Sequence, residues 1–329
     1  MRCSGCAVSS SMLVLLSKMR RSLFLYRVPP NGEKNSSVSL CTEVEYARSI
    51  DIQKEETALR IGFIGTGSMG GMLVRAFLQS TPASELQVVA CNRSPEKLAQ
   101  ITSRFPHVET AASPEETVSR SDIVFLCVKP GDAKGVIQQV LPYIRENHYF
   151  ISINSAVMLE EMEAALPCRV SKVIPSITQV GMSGVTLVMH GSRMCADEQR
   201  FIESWLGKIS KPIVVEENDL RVCSDLSSCG PAFLAVMLRE FAMAAVRQGG
   251  IPRDLADSLV KEMTQGVGKL LTEEGFEFED IINRVAVPGG ITAEGIKVLH
   301  PSLHGVFDQL LVTTRSKSKH HGAPAPDSK

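Results

Sequence analysis

The sequence predicts an α/β domain built on a parallel sheet, followed by an all-helical domain. Between residues 59 and 217, short and nearly uninterrupted apolar stretches alternate with segments of helical periodicity. That alternation is typical of a parallel sheet with both faces covered by helices. From about Asn218 onward the segments have helical periodicity only. A chain of 329 residues is long enough for two domains that each bury a core.

Strands and helices of the first domain follow each other in a regular order. The predicted strands are LRIGFIG, LQVVACN, DIVFLCVKP and YFISINS, and then RVSKVIPSI, VTLVMHG and ISKPIVVE. The predicted helices are SMGGMLVRAFLQS, SPEKLAQITSRF, SPEETVSRS, GDAKGVIQQVLPYI and ADEQRFIESWLGKI. We take residues 59–217 as this domain.

The helical half, residues 218–313, has a long segment with small and apolar residues nearly all round, from about Ser228 to Val246. Such a helix must be buried, and a domain this small does not bury it alone. We therefore expect a homodimer or a higher homo-oligomer built through this half. Residues 314–329 are polar and contain two Pro residues, Pro324 and Pro326, so they are expected to be a disordered tail.

Residues 1–58 form a leader without sustained periodicity, and two interpretations of it remain open. The first 30 residues contain Arg and Ser but no acidic residue, as in a transit peptide. Alternatively the leader is an artefact of the chosen start codon, since Lys54–Glu56 is what an in-frame ribosome-binding site would encode. We favour the artefact and expect a native start at Leu59, with a leader that is disordered or absent.

Composition excludes several classes of function. A net charge of −1 argues against a nucleic-acid binder with a basic face. No apolar run approaches the roughly 20 residues that span a bilayer. The nine cysteines are scattered, several of them in apolar segments, which is typical of reduced thiols in the cytoplasm. Cys3 and Cys6 form a CxxC without a second pair, so no metal site is predicted.

A glycine turn follows the first strand and opens the first helix. Gly65, Gly67 and Gly70 give the spacing G-x-G-x-x-G, with Thr66, Ser68 and Met69 between them. In a dinucleotide-binding unit the first glycine permits a tight turn, the second lets the backbone approach a pyrophosphate, and the third lets helix and strand pack closely. The strand–turn–helix–strand context favours this function over a turn that only closes the unit.

The end of the second strand indicates which dinucleotide binds. NAD-binding proteins carry an Asp or Glu there for the ribose 2′-hydroxyl, about 20 residues after the turn. This chain has Asn92, Arg93 and Ser94 instead. An arginine without a carboxylate favours the 2′-phosphate of NADP(H), and NAD(H) is the less favoured cofactor. The alternative is that Arg93 is a solvated surface charge.

From Leu59 to about Val312 the chain resembles the pyrroline-5-carboxylate reductases, which reduce a cyclic imine to proline with NAD(P)H. The matching stretches are IGFIGTGSMG, CNRS, VKP, SCGPAF and PGGITAEGIKVL, in the family's order. The resemblance implies a Rossmann domain, a helical domain that interlocks with a second subunit, and an active site between the two kinds of domain. It also implies that Val128, Lys129 and Pro130 contact the cofactor; a solvated strand-end lysine is the alternative for Lys129.

Three segments depart from the family's usual pattern. The chain has SSCGPAF, IPSIT and VPGGIT where the family has SGSGPAY, MPNTP and SPGGTT. Val287 thus stands where a serine helps to hold the substrate carboxylate. These departures resemble a divergent branch of the family, the late competence protein ComER.

The resemblance places the substrate against Ser228, Val287, Gly289 and Gly290. The Gly289 and Gly290 amides would hold a carboxylate at the start of the helix near Thr292. The Thr292 hydroxyl would hydrogen-bond the ring nitrogen; N-capping that helix is a compatible alternative. Cys229 is expected to be a small buried residue rather than a reactive thiol.

Three functional interpretations remain open. The chain reduces pyrroline-5-carboxylate to L-proline, acts on another small substrate, or binds a dinucleotide for regulation without turnover. The glycine turn fits all three interpretations, whereas Val287 and the IPSIT segment favour the last two.

Overall fold

The computed structural model describes residues 58–320. The leader is thus outside the described residues except for residue 58, and so is the tail from residue 321. The described chain divides into two compact units. The first comprises 58–173, 179–183 and 188–212; the second comprises 174–178, 184–187 and 213–320.

A single eight-stranded sheet runs through residues 59–214, and its order is β3-β2-β1-β4-β5-β6-β7-β8. The strands are Leu59–Ile64 (β1), Leu86–Cys91 (β2), Glu109–Thr110 (β3), Ile123–Leu126 (β4), Tyr149–Ser152 (β5), Arg169–Ile174 (β6), Val185–His190 (β7) and Lys211–Val214 (β8). Strands β1 to β6 pair in parallel. The chain therefore winds outward in both directions from β1, so that β2 and β4 flank it.

Helices connect the strands. Their bounds are Ser68–Ser80 (α1), Pro95–Thr102 (α2), Pro114–Ser119 (α3), Pro130–Val140 (α4), Leu159–Ala165 (α5) and Ala196–Leu206 (α6). The predicted strands and helices are all present. The short β3 and α5 were not predicted, because two and seven residues show too little periodicity.

Two apolar clusters form the core of this α/β unit. In one of them Phe63 of β1 stacks on Phe125 of β4, with ring centroids 5.1 Å apart. Phe77 of α1 lies between Phe125 and Trp205 of α6, with centroids 5.8 and 6.2 Å away. Aromatic packing of this kind adds about 0.5–1.5 kcal/mol per pair to the burial itself. The packing fixes α1 against the strands that precede the glycine turn and the VKP segment.

The second unit is helical. Its main helices are Leu220–Ser224 (α7), Gly230–Gly249 (α8), Arg253–Thr272 (α9), Phe278–Val285 (α10), Ile291–Leu303 (α11) and Val306–His320 (α12). A π-helical turn, Asp225–Cys229, joins α7 to α8. Helices α11 and α12 are separated at Gly305, whose φ is +79°. Gly305 permits this break because it adopts the left-handed conformation at little cost.

The predicted tail boundary is wrong. Residues 314–320 continue helix α12, and the Thr314 hydroxyl donates a hydrogen bond to the Asp225 carboxylate at 2.7 Å.

The apolar segment from about Ser228 to Val246, which forms most of α8, is much more exposed than a core helix. By length and composition alone the helical run Glu217–Gly249 is long and apolar enough to cross a membrane, contrary to the expectation that no apolar run has that length. Within the single chain Leu234, Val236 and Phe241 are 47–63% exposed. Among the described apolar residues from 213 onward, only Leu220, Ala242 and Ala256 are buried. Exposed apolar surface of this extent is typical of an interaction site.

Candidate functional site

The glycine turn has the backbone geometry of a phosphate cradle. Gly65 has a φ of +99°, and a Cβ there would lie 2.8 Å from the carbonyl oxygen of Cys127. A Cβ on Gly70 would clash with the carbonyl oxygen of Gly65 and lie 2.8 Å from Cys127 Cβ. A Cβ on Gly67 would meet nothing within 4 Å. The first and third glycines therefore shape the turn, and the second leaves open space at the N-cap of α1.

Side chains of this turn are tied to the end of β2. Thr66 is buried, and its hydroxyl accepts a 2.6 Å hydrogen bond from Nδ2 of Asn92. The side-chain oxygen Oδ1 of Asn92 accepts a hydrogen bond from the backbone N–H of Ser94 at 3.0 Å. Ser68 and Met69 begin α1, and Ser68 is exposed. Asn92 thus couples the predicted cofactor-selecting segment to the glycine turn.

Arg93 is paired with a carboxylate that the sequence analysis did not consider. Its guanidinium lies 2.8 Å from Oδ2 of Asp132, in the first turn of α4. The two side chains are 83% and 36% exposed. Exposed ion pairs of this kind are worth about 0–1 kcal/mol. Arg93 is therefore a surface charge that has a partner and can still be redirected to a ligand.

The VKP segment lies beside the glycine turn. Lys129 is exposed and is the N-cap of α4, and Pro130 is its first residue, where a missing N–H costs no hydrogen bond. Val128 is half-buried. Burial raises the pKa of the preceding Cys127 thiol, which keeps that side chain neutral. The sheet order gathers the predicted cofactor residues at the carboxyl edge of β1, β2 and β4.

In the helical unit Ser228 lies in the π-helical turn. Its hydroxyl donates to the carbonyl of Pro175 at 3.1 Å, and the Ser176 hydroxyl donates to the carbonyl of Ser227 at 2.9 Å. These bonds attach the turn to the IPSIT segment. A π turn leaves carbonyls without their usual helical partner and is frequent at functional sites. Ser228 keeps acceptor capacity for a ligand after donating to Pro175.

A charged cluster holds the other side of the π turn. Arg221 of α7 donates to both carboxylate oxygens of Asp225, at 2.6 and 3.3 Å, and to the sulfur of Cys229 at 3.3 Å. Burial lowers the pKa of Arg221 and the hydrogen bonds to Asp225 raise it, with a net rise. Cys229 is half-buried rather than fully buried. Arg221 and Asp225 do not stand out in the sequence, because their spacing also fits an ordinary (i, i+4) surface pair.

The PGG turn precedes helix α11. Gly289 has a φ of +73°, and the N–H of Gly290 donates to the carbonyl of Val287 at 2.9 Å. That amide is used inside the turn, contrary to the expectation that it holds a carboxylate. Gly290 is also the N-cap of α11, so Thr292 is the second residue of the helix and not its cap. The capping alternative for Thr292 is therefore wrong.

Helix α11 itself presents donors at this turn. The first N–H groups of a helix have no partner within it, and here they include the amides of Ile291 and Thr292. Thr292 and Val287 are exposed, the latter 56%. Among the described residues no hydrogen bond joins Ser228 to this turn. The single chain thus gathers the predicted cofactor residues, whereas the predicted substrate residues lie in two separate segments of the helical unit.

Metal chemistry has no candidate ligands in the part of the chain that the structure describes. Residues 58–320 contain no group of three or more His, Cys, Asp or Glu side chains placed to hold an ion.

Two family models match the chain. The model described as pyrroline-5-carboxylate reductase dimerisation matches residues 217–321. The model described as NADP oxidoreductase, coenzyme F420-dependent, matches residues 60–156. The first match begins one residue before the predicted start of the helical half at 218, and the second covers the predicted cofactor residues.

Solved structures confirm the fold class. A pyrroline-5-carboxylate reductase from Coxiella burnetii has a TM-score of 0.74 at 23% identity, over 82% of this chain and all of that one. The Plasmodium falciparum pyrroline carboxylate reductase, solved with NADP bound, has a TM-score of 0.70 at 20% identity, over 81% of this chain and 99% of that one. The predicted Rossmann domain followed by a helical domain is thereby confirmed.

Sequence relatives identify the family. ComE operon protein 4 of Bacillus subtilis is 38% identical over 259 residues, which cover 79% of this chain and 95% of that protein. Pyrroline-5-carboxylate reductase 3 of the same organism is 32% identical over 260 residues, 78% of this chain and 95% of that protein. The first relative is ComER, so the predicted resemblance to that branch is confirmed. The chain therefore belongs to the pyrroline-5-carboxylate reductase family.

Proposed function

We propose that the chain reduces a cyclic imine with NADPH, and that the imine is pyrroline-5-carboxylate, which becomes L-proline. The observation that carries the proposal is the glycine cradle, where Gly65 and Gly70 are required by close backbone contacts and Gly67 is open. A cradle of this shape fits a pyrophosphate at the N-terminus of α1. Relatives that carry the family's name and the NADP-bound Plasmodium reductase support the same cofactor.

The cofactor, when bound, supplies a hydride to the imine carbon. The C=N π pair then goes to nitrogen, so a protonated imine becomes a neutral secondary amine without a further proton. The protein therefore has to orient and shield the reactants more than it has to move protons. Residues 59–217 would bind the cofactor, with Arg93 on its 2′-phosphate and Val128–Pro130 beside it.

Substrate binding would fall to the helical half. The Thr292 hydroxyl would accept the imine N–H, and the free amides at the start of α11 would hold the carboxylate. Because the Gly290 amide is already bonded to Val287 O, this role passes from Gly290 to the amides of Ile291 and Thr292. The Ser228 hydroxyl, positioned by Pro175 O, would complete the site.

A second candidate is an oxidoreductase with another substrate, or a binding protein without turnover. Val287 favours it, because an exposed valine replaces a donor to the substrate carboxylate. A lost hydrogen bond to a charged group costs about 1.5–3 kcal/mol, or roughly 10- to 150-fold in affinity. The 38% identity to ComE operon protein 4 points the same way, since that name states no reaction.

The test is NADPH oxidation with a pair of cyclic imines, pyrroline-5-carboxylate and unsubstituted 1-pyrroline. Faster turnover with pyrroline-5-carboxylate than with 1-pyrroline supports proline synthesis. Turnover on 1-pyrroline at an equal or higher rate supports another imine as substrate. NADPH binding without oxidation of either supports a role without turnover.

We also propose that the protein is a homodimer or higher oligomer built through residues 218–313. The single chain leaves Phe241, Leu259 and Val298 57–72% exposed. We propose that a second subunit, rather than a membrane, covers these apolar side chains. The dimerisation family model matches this half of the chain. The reduced state of the described cysteines and the named reductase relatives lead us to propose a cytoplasmic location.

A further inference from the structure

Asp132 supplies, from α4, the carboxylate that the end of β2 lacks. The sequence shows Asn92-Arg93-Ser94 where an NAD-binding protein has an acid, and this absence favoured NADP(H). In the structure Oδ2 of Asp132 lies 2.8 Å from the Arg93 guanidinium, although the two residues are 39 positions apart. The local sequence therefore gives an incomplete account of the charge at this position.

The position of this ion pair in the fold is informative. Arg93 follows β2, Asp132 is in the first turn after β4, and these two strands flank β1. The pair consequently joins the segments on either side of the glycine turn, at the carboxyl edge where a dinucleotide binds in this fold. A phosphate that engages the Arg93 guanidinium has to share it with, or displace, the carboxylate.

Charge determines the direction of the effect. A 2′-phosphate brings about two negative charges, which the Asp132 carboxylate repels. NADH brings a neutral 2′-hydroxyl, and the ion pair stays closed. We propose that Asp132 limits the preference of the protein for NADPH by competing with the 2′-phosphate of NADPH for Arg93. This inference rests on the proposed cofactor site and goes beyond it by naming the residue that limits the preference.

The size of the effect follows from exposure. Arg93 is 83% exposed and Asp132 36% exposed, so the pair is well hydrated. Opening such a pair costs about 0–1 kcal/mol, which corresponds to a factor of up to roughly 5 in affinity. The competition is electrostatic, so it weakens when salt rises from about 0.05 to about 0.5 M, where the Debye length becomes short.

The experiment measures binding of two cofactor fragments, 2′,5′-ADP and 5′-AMP, to the full chain by calorimetry. We expect Asp132→Asn to tighten 2′,5′-ADP binding by about 2- to 5-fold and to leave 5′-AMP unchanged. Asp132→Asn should likewise tighten NADPH binding and leave NADH binding unchanged. The increase in affinity for 2′,5′-ADP and NADPH should be smaller at high salt. Asparagine keeps the size of the side chain, and melting curves verify that α4 is intact.

Glu161→Gln is the matched control. Glu161 forms another exposed ion pair with α4, to Lys134 at 3.3 Å, and its removal changes the net charge by the same amount. The proposed competition is overturned if Glu161→Gln tightens 2′,5′-ADP binding as much as Asp132→Asn does. It is also overturned if Asp132→Asn weakens 2′,5′-ADP binding or leaves its affinity unchanged. If the wild-type protein binds NADPH but Asp132→Asn does not change 2′,5′-ADP binding relative to 5′-AMP binding, the proposed function stands. If it binds neither NADPH nor 2′,5′-ADP, the proposed function fails as well.

Discussion

Gly67→Ala separates a glycine that shapes the protein from one that receives the ligand. A Cβ at Gly67 meets nothing within 4 Å, and this residue is the N-cap of α1 with an ordinary φ of −67°. Alanine at an N-cap in place of glycine costs at most about 1 kcal/mol of stability. In the proposed complex the new methyl group occupies the space through which a pyrophosphate reaches the backbone amides.

The expected loss is therefore in binding and not in folding. If the methyl group prevents one charge-assisted hydrogen bond, the loss is about 1.5–3 kcal/mol, which is roughly 10- to 150-fold in the NADPH dissociation constant. Fluorescence titration with NADPH measures the constant, and thermal melting without cofactor measures the stability.

Two further glycines serve as controls for this experiment. Gly135→Ala also adds a methyl group to open space, inside α4, and should stabilise the protein by about 0.5–1 kcal/mol without affecting NADPH. Gly70→Ala forces a methyl group against the Gly65 carbonyl and should lower the melting temperature. Unchanged NADPH affinity in Gly67→Ala would refute the reasoning, because the open space would then have no ligand in it.

Three other predictions concern the substrate, the assembly and the pH dependence of stability. Thr292→Val should lower kcat by about 10-fold or more with an imine substrate and leave NADPH affinity unchanged; an unchanged kcat contradicts the role of the hydroxyl. Phe241→Asp should shift the molar mass measured by light scattering toward that of the monomer, because Phe241 is 63% exposed in the single chain; an unchanged mass places the interface elsewhere. Burial, and then the charge of Arg145, lower the pKa of His148 from 6.5 to about 4. The unfolded chain therefore binds the proton first, and urea titrations should show stability falling as pH drops from about 6.5 to about 4. His148→Gln should remove part of that slope, and an identical slope would assign it to other groups.

The strand and helix pattern was predictable because the apolar residues of each element recur with a period that is visible in its own short stretch of sequence. The spacing of Gly65, Gly67 and Gly70 is visible in the local sequence, whereas the close contacts of Gly65 and Gly70 with Cys127 come from a distant part of the chain. Even the divergent VPGGIT turn was placed correctly at a helix start.

The missed features depend on contacts between distant residues. The Arg93–Asp132 pair forms only when β2 and β4 are placed on either side of β1. The π turn at Asp225–Cys229 lies inside a helical stretch of sequence, and its hydrogen bonds with Pro175 and Ser176 join segments that are far apart in the chain. The predicted tail rests on polarity alone, whereas the Thr314 hydroxyl, within α12, donates a hydrogen bond to Asp225 in a distant part of the chain.

Isotope transfer tests the central claim most directly. The protein is incubated with pyrroline-5-carboxylate and NADPH that carries deuterium at the transferable C4 position, and the product is analysed by mass spectrometry. The account predicts L-proline with one deuterium at C5, formed in equal amount to the NADP⁺. Bound NADPH that transfers no deuterium to this imine, under conditions where a known pyrroline-5-carboxylate reductase does, would contradict it.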